Sequence, residues 1–142
     1  MIRKFFIFFC STLLFTSCQK EIISVWILQG KWTIEELYVK QDFAGKKSEY
    51  FISNAGTIQF KKENEGATTS AQDTTIKVAE FNWVMEDKNV IITYNTDSSK
   101  EIWNIIERKN NEQIWECTQT IKHESGGIST QEIRYRKIKM VR

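Results

Sequence analysis

The sequence predicts an all-β fold in which an antiparallel meander of seven to eight strands closes into a small barrel. β-Branched and aromatic residues recur in short runs, and clusters of Asn, Asp, Gly and Ser separate these runs. The intervening loops are short, which favours antiparallel hairpins, because parallel strands need long crossovers. The 142 residues fit one domain, since a single core serves up to roughly 250 residues. Closure of the sheet would remove its vulnerable edges.

The N-terminal segment has the three parts of a secretory signal. Two basic residues, Arg3 and Lys4, precede the apolar residues 5–15, and a small polar pair then leads to Cys18. A helix of that apolar length would span about 16 Å, roughly half of a hydrocarbon core, so a transmembrane helix is not expected. We therefore expect residues 1–17 to be removed as a signal peptide.

The mature chain is predicted to begin with a helical turn followed by strands. The apolar run from Ile22 to Leu28 is too short for a free-standing helix, and Gly30 would end it as a turn that covers one end of the core. The segment from Gln41 to Ala55 is the longest early connection and is expected to hold a short helix or a lid. The predicted strands are Lys31 to Val39, Gly56 to Lys62, Thr75 to Met85, Val90 to Asn95, Glu101 to Arg108, Gln113 to Lys122 and Thr130 to Met140.

Two of these strands depart from strict alternation. In the first strand the apolar residues change face after Ile34, and in the last strand they change face after Tyr135. A one-residue bulge at residues 35–36 and another at residues 136–137 would restore an apolar inner face to both. Bulges are common where sheets curl, so the sequence predicts both of them.

Charge and cysteine content exclude several classes of protein. Of the 20 Lys and Arg residues, Arg3 and Lys4 fall in the removed segment, which leaves 18 basic against 18 acidic residues. Zero net charge argues against a nucleic-acid partner, which requires a basic surface to displace counterions. Cys10 leaves with the signal, and Cys18, the first residue after it, is expected to carry a membrane anchor. Cys117 therefore has no partner for an internal disulfide and is expected to be a small core residue.

No catalytic, metal or cofactor site is predicted. The single histidine, His123, is followed by Glu124 and Ser125, which would be the types needed for a hydrolase. Adjacent residues on a hairpin point apart, however, and a nucleophile must lie within hydrogen-bond reach of its base. One His and one available Cys do not make the usual tetrahedral zinc sets, and the six glycines form no phosphate-binding loop.

The residues before Cys18 resemble the lipobox of bacterial lipoproteins, with Phe15 where Leu is usual. The resemblance implies a diacylglyceryl group on the Cys18 thiol, an N-acyl chain such as palmitate, and a short tether over residues 18–24. The alternative is a plain cleaved signal with an incidental cysteine. Residues 19–21 resemble the signal that exports some lipoproteins to the cell surface, or form a solvated tether. The expected location is the bacterial envelope, chiefly the outer membrane, with its leaflet left open.

The start of the first strand resembles a second family. Gly30 and Trp32, placed just after a short helical turn, are similar to the Gly-x-Trp motif of lipocalins, and residues 22–142 resemble compact lipocalin-like (calycin-type) lipoproteins. In that family the Trp closes the bottom of the barrel against a basic side chain of the last strand. The resemblance implies that Arg134 or Arg136 stacks on Trp32.

For such a domain, which would span residues 25–142, two functions from different classes are expected. An enzyme is a third possibility with the least support from the sequence. The first is binding of a small apolar or amphipathic ligand inside the barrel. The candidate lining residues are Phe60, Phe81, Trp83, Met85, Trp115 and Tyr135. The second is a filled barrel that binds an envelope protein through the strand around Trp103, which carries Ile102 and Ile106 on one face and Trp103 and Ile105 on the other. The set on the outer face would form a partner patch or pack on the N-terminal turn. Core packing is the alternative role of the aromatic residues.

Overall fold

Eight antiparallel strands, each hydrogen-bonded to the next in chain order, close into one barrel in the computed structural model, which describes residues 25–72 and 75–142. This confirms the predicted fold class. The signal peptide, Cys18 and the tether lie outside the described residues. The strands are β1 (Gly30–Phe43), β2 (Lys46–Phe60), β3 (Glu65–Gln72), β4 (Thr75–Glu86), β5 (Asn89–Tyr94), β6 (Lys100–Arg108), β7 (Glu112–Ser125) and β8 (Ile128–Val141).

Two short helical segments accompany the strands. Residues 25–28 form a helical turn directly before β1, and Lys62–Asn64 form a 3₁₀ turn between β2 and β3. Across the described ranges, no helix has the length and apolar character needed to span a bilayer.

The helix or lid expected between Gln41 and Ala55 is wrong, because β1 and β2 form one long hairpin there. Ala44 and Gly45 make the two-residue turn with positive φ values of 50° and 80°. Turns of this kind match the right-handed twist of the flanking strands, so both strands can continue to the tip. β3 is a strand that the sequence prediction did not include.

The bulge expected in β1 is present, whereas the one expected in β8 is wrong. The register of β1 shifts between Ile34 and Glu36 against both neighbouring strands. β8 pairs with β7 without a shift across residues 136–137, and its alternation is unbroken. Its inner face is therefore apolar at Ile138 and becomes polar from Arg136 towards the β7–β8 hairpin.

Aromatic side chains fill one half of the barrel, which we call the closed half. The ring of Phe60 lies 5.7 Å from that of Phe81, 5.2 Å from that of Trp83 and 5.6 Å from that of Trp115, all between centroids. Gly66 permits this packing, because a Cβ atom there would lie 2.2 Å from the Phe81 ring. All four aromatic side chains are at most 1% exposed, so they form the core of this half.

The other half of the barrel, which we call the open half, is bounded by strands of unequal length. β1, β2, β7 and β8 have 14, 15, 14 and 14 residues, whereas β5 has 6 and β6 has 9. The four long strands are neighbours in the sheet and extend beyond the short strands. The inner face of the long strands therefore lines the open half.

Candidate binding site in the open half of the barrel

The closed end of the barrel is organised around Trp32. Its ring is fully buried, and its indole Nε1 donates a hydrogen bond to the carbonyl of Leu28 at 2.8 Å. The guanidinium carbon of Arg142 lies 4.8 Å from the centroid of the ring. The same guanidinium donates to the carbonyls of Ile27, at 3.2 Å, and Gln29. Arg142 thus joins the helical turn to the last strand.

The prediction that Arg134 or Arg136 stacks on Trp32 is wrong. β8 runs antiparallel to β1, so the C-terminal end of β8 lies beside the start of β1, where Thr33 pairs with Val141. Arg136 is paired with Val39 and Arg134 with Gln41, further along β1 towards the open half. The basic side chain that meets the indole is therefore the last residue of the sequence.

The six candidate lining residues do not form a ligand surface. Phe60, Phe81, Trp83 and Trp115 belong to the filled closed half, and Met85 packs against the same core. Tyr135 lies on the outer face, where its hydroxyl donates to Glu116 Oε2 at 3.0 Å and its ring contacts the edge of Tyr38. Its predicted place inside the barrel is wrong, because the bulge that would have turned it inward does not exist.

Instead, the open half is lined by two layers of polar side chains. In the deeper layer, Glu101 Oε1 lies 2.7 Å from a terminal nitrogen of Arg136. Glu101 Oε2 accepts hydrogen bonds from Trp103 Nε1 at 2.9 Å and from the Tyr94 hydroxyl at 3.3 Å. Arg136 lies 4.9 Å above the Trp103 ring and donates to Gln119 Oε1 at 2.7 Å. This layer therefore holds a hydrogen-bonded ion pair between the buried Glu101 and the partly buried Arg136, directly above the aromatic core.

The surroundings of this ion pair alter the ionisation of its neighbours. Burial, reinforced by the charge of Glu101, raises the pKa of Tyr94 far above its ordinary value, so the phenol stays protonated and donates. Burial also raises the pKa of the Cys117 thiol, which argues against a nucleophilic role. Burial alone would lower the pKa of Arg136, but the Glu101 carboxylate outweighs it and the pKa is raised. The Nε atom of Arg136 is buried and has no hydrogen-bond partner among the described residues.

The upper layer is centred on Glu132. Its Oε1 accepts hydrogen bonds from Gln41 Nε2 at 3.1 Å and Arg134 Nε at 2.8 Å, and its Oε2 lies 2.9 Å from His123 Nε2. These partners lie on β1, β7 and β8, so the carboxylate ties three of the four long strands together. The His123 hydrogen bond, followed by those from Arg134 and Gln41, lowers the pKa of Glu132 against the opposing effect of burial. Glu132 is therefore ionised at neutral pH.

Two aromatic side chains of the long hairpin lie on the same inner face. Phe43 packs edge-on against the His123 ring, with 5.4 Å between centroids. Tyr50 is paired with Val39 across the β1–β2 ladder, and both Phe43 and Tyr50 are partly exposed. The open half thus combines organised polar groups with accessible aromatic surface. Among the described residues, no cluster of three or more His, Cys, Asp or Glu side chains could hold a metal ion.

Sequence reasoning missed Glu101, Glu132, Gln41 and Gln119 as members of this site. A usable signal was present in the last strand, where Glu132 and the two arginines after it are in phase with the buried residues that follow. The assumed bulge removed that signal by requiring an apolar inner face along the whole strand. In fact a barrel that opens to solvent needs an apolar lining only where it is filled.

Comparisons with known proteins add likenesses in structure but none in sequence. No protein-family model and no curated protein sequence matches the chain. A lipocalin-like protein from Bacteroides uniformis is similar in structure, with 13% identity, a TM-score of 0.46 and coverage of 76% of this chain and 96% of that chain. A deswapped triple mutant of bovine odorant-binding protein is also similar, with 9% identity, a TM-score of 0.40 and coverage of 78% and 73%.

The strand order of the chain itself defines its structural class. It is a closed, eight-stranded antiparallel β-barrel with a filled end and an open end that is lined by polar groups.

Proposed function

We propose that this chain is a lipid-anchored lipoprotein of the bacterial envelope whose barrel binds a small amphipathic molecule in the open half. The observation that carries the proposal is the inner face of the long strands, where the hydrogen-bonded Glu132 cluster lies beside the partly exposed Phe43 and Tyr50. Ligand sites typically combine apolar surface with a few placed polar groups that orient the ligand. The interior of an eight-stranded barrel is wide enough either to be filled by side chains or to hold one small ligand. The proposed role is binding, and not catalysis.

The lipobox-like residues before Cys18 support the anchor, and the position of Val25 supports a proposed orientation of the barrel. Val25, the first described residue, packs against the core of the closed half. The seven bonds between consecutive Cα atoms from Cys18 to Val25 can span at most about 25 Å. In the proposed arrangement the closed end lies near the outer membrane, and the open half faces away from it.

Decanoate, an amphipathic molecule with a short chain, provides the direct test. All eight strands and the described core lie within residues 25–142, so a chain that starts at Gln19 without lipid keeps the whole barrel. We expect saturable binding in calorimetric titration and a rise in the thermal midpoint, since a ligand at a hundred times its Kd stabilises the folded state by about 2.7 kcal/mol. Failure to saturate at any concentration below micelle formation would contradict the proposal.

β2 offers a matched pair of variants for locating the site. Tyr50→Ala removes an aromatic ring from the inner face, whereas Phe51→Ala removes one from the outer face of the same strand. We expect Tyr50→Ala to weaken decanoate binding about tenfold, which corresponds to about 1.4 kcal/mol. Phe51→Ala should leave the affinity unchanged. Equal effects of the two substitutions would place the ligand elsewhere.

We propose a second candidate function, binding of an envelope protein, on the basis of the outer face of β4, β5 and β6. Val84 is paired with Ile91, and Ile91 with Ile102, so three apolar side chains adjoin across three strands. Val84 and Ile102 are exposed, and Ile106 on the same strand is exposed as well. A photo-crosslinking residue at Ile102 should then form one specific adduct in membranes, and the same residue at Lys137, on the outer face of β8, should not. Identical patterns at the two positions would contradict this function.

A further inference from the structure

We infer that the ligand of the open half carries an anionic head group on a short apolar body, an inference that rests on the proposed binding function. The basis is an asymmetry in exposure within the upper polar layer. The side chain of Glu132 is 8% exposed, whereas those of its partners Arg134 and His123 are 34% and 44% exposed. A ligand that enters the open half therefore meets the two basic side chains, and the acidic one lies behind them.

Both carboxylate oxygens of Glu132 already have partners, and the side chain is 8% exposed, so it offers a ligand little accessible acceptor surface. Gln41 and Arg134 donate to its Oε1, and His123 lies at its Oε2. Arg134 approaches the same oxygen with Nε, at 2.8 Å, and with one terminal nitrogen, at 2.7 Å. A guanidinium is a planar fork with five hydrogens, so its second terminal nitrogen still has two hydrogens to donate. Glu132 is thus a positioning residue that holds Arg134 in place for an oxygen-bearing ligand.

The deeper layer has the same bias towards donors. Glu101 is buried and accepts from Arg136, Trp103 and Tyr94. Gln119 uses its amide oxygen as the acceptor for Arg136, so its amide nitrogen is the group left to donate. Ligand oxygens, and not ligand hydrogens, suit the floor of this site.

The rim of the open half adds positive charge. Lys46 on β2 pairs with Phe43, and Lys77 on β4 pairs with Ser70, which assigns both lysines to the inner face, and both are exposed. Both lysines and the partly exposed Arg134 therefore present positive charge to solvent on the inner face of the open half, whereas the Glu101 and Glu132 carboxylates are buried. A cleft lined by one sign of charge concentrates counter-ions and accelerates their binding, and here it favours an anion.

Three ten-carbon compounds that differ only in the head group separate charge recognition from burial of the chain. We expect decanoate to bind the chain that starts at Gln19 at least tenfold more tightly than decanol, and decylammonium to bind more weakly than decanol. The affinity for decanoate should fall as sodium chloride is raised, because salt screens exposed charges, and the affinity for decanol should not. Equal affinities for decanoate and decanol, or tightest binding of decylammonium, would overturn the inference and leave the proposed function intact.

Two variants identify the groups that recognise the head. Arg134→Gln should weaken decanoate binding at least tenfold and change decanol binding less than twofold. Lys77→Gln, at the rim and away from the Glu132 cluster, keeps the test valid if Arg134→Gln does not fold. It should weaken decanoate binding two- to fivefold and reduce its salt dependence. Equal loss of decanoate and decanol in either variant would contradict a role in charge recognition. Absence of binding for all three compounds would overturn the proposed function, and the inference with it.

Discussion

Replacing Trp32 with alanine is expected to lower the free energy of unfolding by about 3 to 5 kcal/mol, the usual cost of truncating a large aromatic core residue. The indole is fully buried, and the substitution also removes its hydrogen bond to Leu28 and its contact with Arg142. A loss of this size is a large fraction of the stability of a small domain. Urea denaturation of the chain that starts at Gln19, followed by circular dichroism, measures it.

Trp26 provides the matched control. It lies six residues earlier in the same part of the fold, but its side chain is 68% exposed. Trp26→Ala should change the free energy of unfolding by no more than about 0.5 kcal/mol, as is usual at surface positions. Arg142→Gln should cost about 0.5 to 1 kcal/mol, the ordinary value of an exposed cation–π contact. If Trp32→Ala and Trp26→Ala unfold at the same urea concentration, Trp32 does not close the barrel.

The second large effect is expected at the Glu101–Arg136 ion pair of the deeper polar layer. Arg136→Met leaves the Glu101 carboxylate buried without its cation, and such a loss of one partner costs about 3 to 5 kcal/mol. Combining it with Glu101→Gln removes the unpaired charge, while the amide oxygen can still accept from Trp103 and Tyr94. The double variant should therefore be more stable than Arg136→Met alone.

A double-mutant cycle on the free energy of unfolding checks this expectation. The effects of independent substitutions add to within a few tenths of a kcal/mol. The coupling energy between Glu101 and Arg136 should exceed this deviation, because the two charged groups are in direct contact. Strict additivity of the two single substitutions would show that the pair contributes nothing as a pair. Decanoate titration of the double variant then measures how much of the ligand site depends on this layer.

Parts of the fold that depend on neighbouring residues in the sequence were predictable. The bulge after Ile34 followed from a change of face within a few residues, and the helical turn followed from a short apolar run that ends at Gly30. The long hairpin was missed, because a turn of Ala44 and Gly45 carries a weaker signal than the Asn-Gly or Asp-Gly pairs typical of such hairpins. β3 was missed as well, since its small residues contribute little apolar pattern.

The sequence by itself determined the all-β class, the meander of hairpins and the buried tryptophan at the start of the first strand. These properties depend on local alternation, which decides the face on which a side chain lies. Only the tertiary structure decided which side chains share a level inside the barrel, because that depends on the register of strands that are distant in the chain. Closure of β1 against β8 brings Arg142, and not Arg134 or Arg136, to Trp32. In the same closed barrel Arg136 pairs with Glu101, and Arg134 pairs with Glu132. These ion pairs make the lining of the open half polar.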